Sequence, residues 1–299
     1  MHQEFKRGIF LSLGAYILWG ILPIYWSLVK GIGSFETLAF RIILSLIFMV
    51  ILLPIINKTG ALKKDLHYLK QFPTKFVAIV VAGYIITINW GTFIYAVDHG
   101  HVLQASLGYY INPLVSIVLA LIFLKERFTK LEWIAIALAT IGVIFMTLKI
   151  GEFPYISLLL AFSFGFYGLI KKSINIDALS SITIECIVTA PAGIIYIWYL
   201  FQTSQVSSGW NMSTFCLLFS GAITAIPLIL FSAGAKRIPL SLVGFIQYVG
   251  PTLIFILGIF VFHEKFDINQ LITFIFIWIG IILYSISKYL TIRKSKNPV

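Results

Sequence analysis

The sequence predicts an all-α membrane protein: ten transmembrane helices in two inverted five-helix repeats, with the N- and C-termini in the cytoplasm. Three observations predict it. The composition is too apolar for a water-facing surface, Lys and Arg are segregated into alternate breaks, and one motif is written twice at a constant shift. Of 299 residues, 60% are hydrophobic and only 11% charged, against about 25% charged in a soluble domain. Lipid is therefore the solvent for most of the chain. The net charge of +11 does not point to nucleic acid, because the basic residues lie between apolar runs and not on one soluble face. That placement suits anionic headgroups and orientation in a bilayer.

A helix needs roughly 20 apolar residues to cross a bilayer. Ten runs qualify, at about 9–29, 36–56, 76–97, 102–124, 131–149, 154–171, 181–201, 214–235, 240–262 and 270–290. The first lacks a small-residue cleavage site, so it is expected to be a retained helix and not a signal peptide. The longest break, 57–75, carries Lys58, Lys63, Lys64, Lys70 and Lys75. With the N-terminus inside, eighteen of the 22 Lys and Arg are cytoplasmic. They are those five together with Lys6, Arg7, Lys125, Arg127, Lys130, Lys171, Lys172, Lys236, Arg237, Lys288, Arg293, Lys294 and Lys296. Only Lys30, Lys149 and Lys265 fall outside, and Arg41 falls within a span. This is the positive-inside pattern.

The doubled motif is Tyr109-Tyr110-Ile111-Asn112-Pro113 followed by Lys125-Glu126-Arg127-Phe128, then Gln247-Tyr248-Val249-Gly250-Pro251 followed by His263-Glu264-Lys265-Phe266. A gapless shift of 138 also pairs Gly83 with Gly221 and Gly142 with Gly280. It divides the chain into repeats at 1–150 and 151–299. Because five is odd, the second repeat enters the membrane upside down. Inverted repeats recur in secondary transporters, with the substrate site at the repeat interface near mid-membrane.

Thr129-Lys-Leu-Glu132 has the form of a capping box, repeated as Asp267-Ile-Asn-Gln270. Glu126 and Glu264 precede those helix starts and are expected to clasp helix ends; a gate is the alternative. Pro23, Pro113 and Pro251 lie inside spans, where each frees a carbonyl and marks a kink or a hinge. Arg41 is a basic residue well inside a span, and such a charge is by default functional; snorkelling to the outer headgroups is the alternative. Glu185 could carry a proton if buried, but the interface beside Lys171 and Lys172 is the expected place.

Polar and aromatic residues mark candidate cavity walls. They are Tyr16, Trp19 and Trp26 in span one, Asn89 and Trp90 in span three, Gln104, Tyr109, Tyr110 and Asn112 in span four, and Tyr167, Gln247 and Tyr248 in the second repeat. Asn and Gln in spans should face protein or water, and aromatics can hold an apolar or cationic ligand. Cys186 and Cys216 form no disulfide framework or metal site. There is no GxxxxGK[ST], HExxH or GxSxG. No ATP hydrolysis, catalytic residue, metal or cofactor is therefore expected.

These stretches resemble the drug/metabolite transporter superfamily, specifically its EamA-type family and within it the RarD branch. The resemblance rests on Ala15 to Pro23, Arg41, Asn89-Trp90, Gln104 to Leu114 and Glu126-Arg-Phe128. In the second repeat it rests on Ala161 to Gly168, Phe245 to Thr252 and Phe274 to Trp278. It covers nearly the whole chain. It implies a ten-helix bundle with a central cavity in a bacterial inner membrane, exporting amino acids, metabolites or drugs without ATP. The branch carries a label connecting it with chloramphenicol sensitivity. His263-Glu264 stands where many relatives have Gly-Glu.

The sequence thus predicts a secondary transporter of a small metabolite or drug, working by alternating access and exporting. A membrane-embedded sensor or assembly protein that binds a solute without moving it is the alternative. The cavity is expected between spans one to four and six to nine. Spans five and ten should buttress it or form a homodimer contact. The topology is checked by placing a cysteine within 58–75 in intact cells: an impermeant thiol reagent added outside should not label it, and labelling would overturn the assignment.

Overall fold

The computed structural model describes residues 2–29, 31–151, 153–209, 211–263 and 268–296. They form helices α1 (His2–Trp26), α2 (Ser34–Ile55), α3 (Thr59–Gln71), α4 (Pro73–Asp98), α5 (Val102–Phe123), α6 (Lys130–Ile150) and α7 (Tyr155–Ser173). They continue with α8 (Ala178–Gln202), α9 (Met212–Leu218), α10 (Ser220–Ala235), α11 (Leu240–Gln247), α12 (Val249–Phe260) and α13 (Ile268–Lys296). Ten of the resulting segments are long and apolar enough to cross a membrane. The eighth joins α9 to α10 through Phe219, and the ninth joins α11 to α12 through Tyr248, both with helical backbone angles. No strand occurs among the described residues.

Local chemistry sets the helix ends. Pro73 opens α4 at a position where its missing N–H is harmless. Thr129 Oγ1 accepts from Glu132 N at 3.2 Å while Glu132 Oε2 accepts from Thr129 N at 2.8 Å, the predicted capping box. Asp177 caps α8 by accepting from Leu179 N at 3.0 Å. Gly151 closes α6 at φ 75°, a left-handed angle that glycine adopts without strain.

Helix α3 lies in the break at 57–75, where the pattern predicted only a cationic connection. At 13 residues it is too short to span. Its Leu62, Leu66 and Leu69 pack on Ile79, Ile174 and Ile176. Asp65 accepts from the backbone N–H of Asp177 at 3.0 Å, pinning α3 to the start of α8.

The helices pack mainly across the middle of the chain. Helix α1 lies on α10 and on α11–α12, and α7 lies on α4 and α5. Helix α2 touches α8 and α10, and α8 touches α4. Helices α5 and α11 pair, as do α6 and α13. Exchanging each span for the one five later maps this set of pairs onto itself. Glycines permit two of the closest approaches. A Cβ on Gly221 would lie 2.3 Å from the Leu44 carbonyl group of α2. The matched pair Gly142 and Gly280 joins α6 to α13: a Cβ on each would lie 3.0 Å and 2.9 Å from the facing Thr273 and Ala135 carbonyl oxygens. Without a hydrophobic drive between helices in lipid, such close backbone packing supplies much of the association.

The Glu126 carboxylate reaches from the first half of the chain to the start of α11. It accepts from Leu240 N at 2.7 Å, Ser241 N at 3.3 Å and Ser241 Oγ at 2.5 Å, so it supplies acceptors to N–H groups that the helix leaves orphaned. Glu264 and Asp267 lie outside the described residues. Replacing Glu126 by Ala should lower the melting temperature in detergent, consistent with a cap worth about 1 kcal/mol. An unchanged melting temperature with an altered solute range would speak for a gate instead.

Candidate functional site

Among the described residues, charges within the spans lie where the two halves of the chain meet. Arg41 lies seven residues into α2 and is half-buried. Its guanidinium carbon stands 4.6 Å from the Trp26 ring centre and 4.7 Å from that of Trp90, within cation–π range of both. Nε donates to Thr224 Oγ1 of α10 at 3.1 Å. Span one, span three and the second repeat thus each contribute one side to its setting.

A narrow void of about 20 Å³ adjoins this cluster, with Trp90, Thr224, Ser45, Thr87, Thr189 and Glu185 in its wall. It has room for about one water molecule. Its walls are α2 and α4 from the first half of the chain and α8 and α10 from the second. Cys186 also lines it.

Glu185 is buried, not at the interface expected for it. It forms an ion pair with buried Lys171. Its other contacts are Tyr167 Oη, donating to Oε2 at 3.0 Å, and Ser181 Oγ, donating to Oε1 at 2.9 Å. Lys171 Nζ also donates to Ser181 Oγ at 2.7 Å. The physical reason is mutual compensation: either charge alone would be costly here, while the hydrogen-bonded pair is tolerable. The pattern was visible as two i, i+4 pairs on adjacent helices, Tyr167 with Lys171 and Ser181 with Glu185. Just beyond the end of α10, Lys236 donates to the Ile176 carbonyl. Burial pushes its pKa down to about 8, and neighbouring Lys171 adds to the shift.

The other sequence candidates divide into three groups. Tyr16, Trp19 and Tyr167 surround Phe231, with ring centres 6.1, 5.8 and 5.8 Å from it, and Tyr16 donates to Gln247 Oε1 at 3.4 Å. Asn89 and Gln104 join helices: Asn89 Nδ2 donates to the Leu160 carbonyl and Ser163 Oγ, each at 2.8 Å. Gln104 Oε1 accepts from Ile156 N at 3.3 Å, and its carbonyl accepts from Ser157 Oγ at 2.5 Å. Tyr110 packs on Phe274, with ring centres 5.3 Å apart, and its carbonyl accepts from Tyr248 Oη at 3.3 Å. Tyr109 is exposed and meets Phe93, with ring centres 5.7 Å apart. Asn112 is buried with its Oδ1 unpaired.

The prolines differ in setting. Pro23 and Pro113 lie inside continuous α1 and α5, whereas Pro251 sits in the first turn of α12 just past Tyr248. The ninth span therefore loses regular helical hydrogen bonding for one residue, Tyr248, while keeping helical backbone angles, where its counterpart is one unbroken helix.

A model of the EamA-like transporter family matches residues 6–148 and again 154–286. The chain belongs to the EamA-like transporter family. An uncharacterized transporter of Bacillus subtilis (strain 168), YojE, is 40% identical over 299 residues, covering 99% of both chains. Protein RarD of Escherichia coli (strain K12) is 40% identical over 297 residues, again covering 99% of both. Chloramphenicol-sensitive protein RarD of Pseudomonas aeruginosa is 28% identical over 93% of each. A solved crystal structure has a TM-score of 0.72 at 15% identity, covering 94% of this chain and 97% of that one; it bears on the fold alone. This EamA-like chain is thus a multi-pass membrane transporter.

Breaking the Lys171–Glu185 pair tests its role. Lys171→Met and Glu185→Gln should each destabilise strongly, since an orphaned buried charge costs about 3–5 kcal/mol. Lys171→Met/Glu185→Gln together should recover part of that loss in a thermal-melt cycle. Additive losses would mean that the two side chains do not depend on one another.

Proposed function

We propose that the chain is a secondary transporter that carries a small metabolite or drug across the bacterial cytoplasmic membrane by alternating access, in the export direction. The observation that carries this reading is the void between α2, α4, α8 and α10, which places Thr224 and Glu185 at the seam of the two halves. With five spans in each half, 1–150 and 151–299 are inverted repeats, and the positive-inside count puts both termini in the cytoplasm. The packing of helices across the seam, unchanged by exchange of the halves, supports that arrangement. Two halves that pack equivalently can rock against each other to open either side of a site between them.

The present void has room for about one water, so solute must enter by separation of the halves. Trp90 lines this void and Arg41 reaches Thr224 in its wall, with Tyr16, Trp19, Tyr167 and Gln247 as further cavity candidates. Asn89 and Gln104 act chiefly as ties between helices, and Tyr109, Tyr110, Asn112 and Tyr248 form the wall around the fourth and ninth spans. Pro113 and Pro251 give the facing fourth and ninth spans local freedom to bend. Glu185 is a carboxylate in the wall of the void, held there by Lys171. Helices α6 and α13 buttress the bundle, and their outer faces offer a homodimer contact.

The family name and the relatives named as transporters support movement over mere binding. Uptake and efflux in proteoliposomes, with and without a pH gradient, test the reading across amino acids, amines, nucleosides and chloramphenicol. Saturable movement of at least one solute, abolished by heat inactivation, is expected. A solute that binds and alters a partner protein's activity while none crosses would replace the transporter by a sensor.

A further inference from the structure

Arg41 is over-determined by its neighbours and yet incompletely satisfied. Its guanidinium carbon lies over the Trp26 and Trp90 rings, and Nε donates to Thr224 Oγ1. It forms no ion pair among the described residues. A guanidinium has five donors, so the edge carrying Nη1 and Nη2 is left for another acceptor. Lys171, the other cation buried within a span, has its carboxylate in Glu185. A fixed cation in a membrane segment without an anion is costly. A planar fork held by two rings retains little freedom to lose on binding.

Resting on the transporter reading above, we propose that the free edge of Arg41 is the subsite for a carboxylate group of the transported solute. The solute pairs its two oxygens with Nη1 and Nη2, and its short apolar or aromatic body extends toward Trp90, Ile42, Ile86 and Leu228. Those side chains line the void that begins at Thr224. Bidentate pairing of this kind selects a planar carboxylate by geometry as well as charge. Thr224 then has a positioning role: it fixes the rotation of the guanidinium and so the direction of the fork. A lipid phosphate offers related chemistry from another source, and the test separates the two.

The test uses purified full-length protein in nanodiscs and three matched pairs of probes: acetate and acetamide, benzoate and benzamide, indole-3-acetate and indole-3-acetamide. Binding is read by tryptophan fluorescence or thermal shift. At least one acid should bind tenfold or more tighter than its amide, and Arg41→Gln should reduce that preference below threefold. Wild-type protein gives an independent readout, because phenylglyoxal modification of Arg41, located by peptide mass, should be slowed by the same acid and not by its amide. The acid preference should persist whether or not phosphatidylglycerol is present. No acid preference in any pair overturns the proposal. So does stabilisation by phosphatidylglycerol that is lost in Arg41→Gln while acids have no effect, which would make lipid the occupant. Counterflow in proteoliposomes separates the two claims. Acid and amide moving equally would remove the subsite and leave the transporter, whereas acid binding without movement of any solute would do the reverse.

Discussion

A charge or a backbone polar group inside a bilayer has to find its partner within the protein, and that constraint organises this molecule. Lys171 and Glu185 meet it by pairing, with Tyr167 and Ser181 taking up the remaining capacity. Arg41 meets it partly, through two indole faces and one hydroxyl. Because partners on a single helix cannot surround a charge, each of these groups draws on different spans. The polar chemistry is therefore collected at the seam, while the outer faces of the helices remain apolar toward lipid.

The same seam is closed at its ends by carboxylates that accept from backbone. Glu36, at the start of α2, accepts from Ser207 and Ser208 in the connection after α8. Asp65 in α3 accepts from Asp177 before α8, and Glu126 accepts at the start of α11. Each joins the first half of the chain to the second. Close approach at Gly221 and at the Gly142–Gly280 pair adds contacts deeper in the bundle. Such ties join the two halves of the chain through a few bonds.

Much of this was legible in the sequence, because hydropathy, charge placement and the shift of 138 are consequences of lipid as solvent. The ten spans and the Thr129–Glu132 cap follow from that local chemistry. Side-chain partners across helices are another matter. Asn89 and Gln104 are polar in a span whether they line a cavity or bond to α7, and composition does not separate the two. Glu185 looked interfacial because about one turn into the expected span 181–201 is near enough to headgroups; only the facing Lys171 shows that it is buried. Helix α3 escaped because its apolar face is three leucines among lysines, and those leucines find their partners only in the folded bundle.

Alternating access requires the seam to open to both sides of the membrane in turn. Cys186 lies in the wall of the void, and the other cysteine is Cys216, so Cys216→Ser leaves a single native reporter there. The decisive measurement is alkylation of Cys186 by a membrane-impermeant thiol reagent in right-side-out and in inside-out vesicles. Access from both sides, with one side suppressed when a transported solute is held in excess on the other, is the expected result. Reaction from one side only, whatever the solute, would contradict alternating access at this seam.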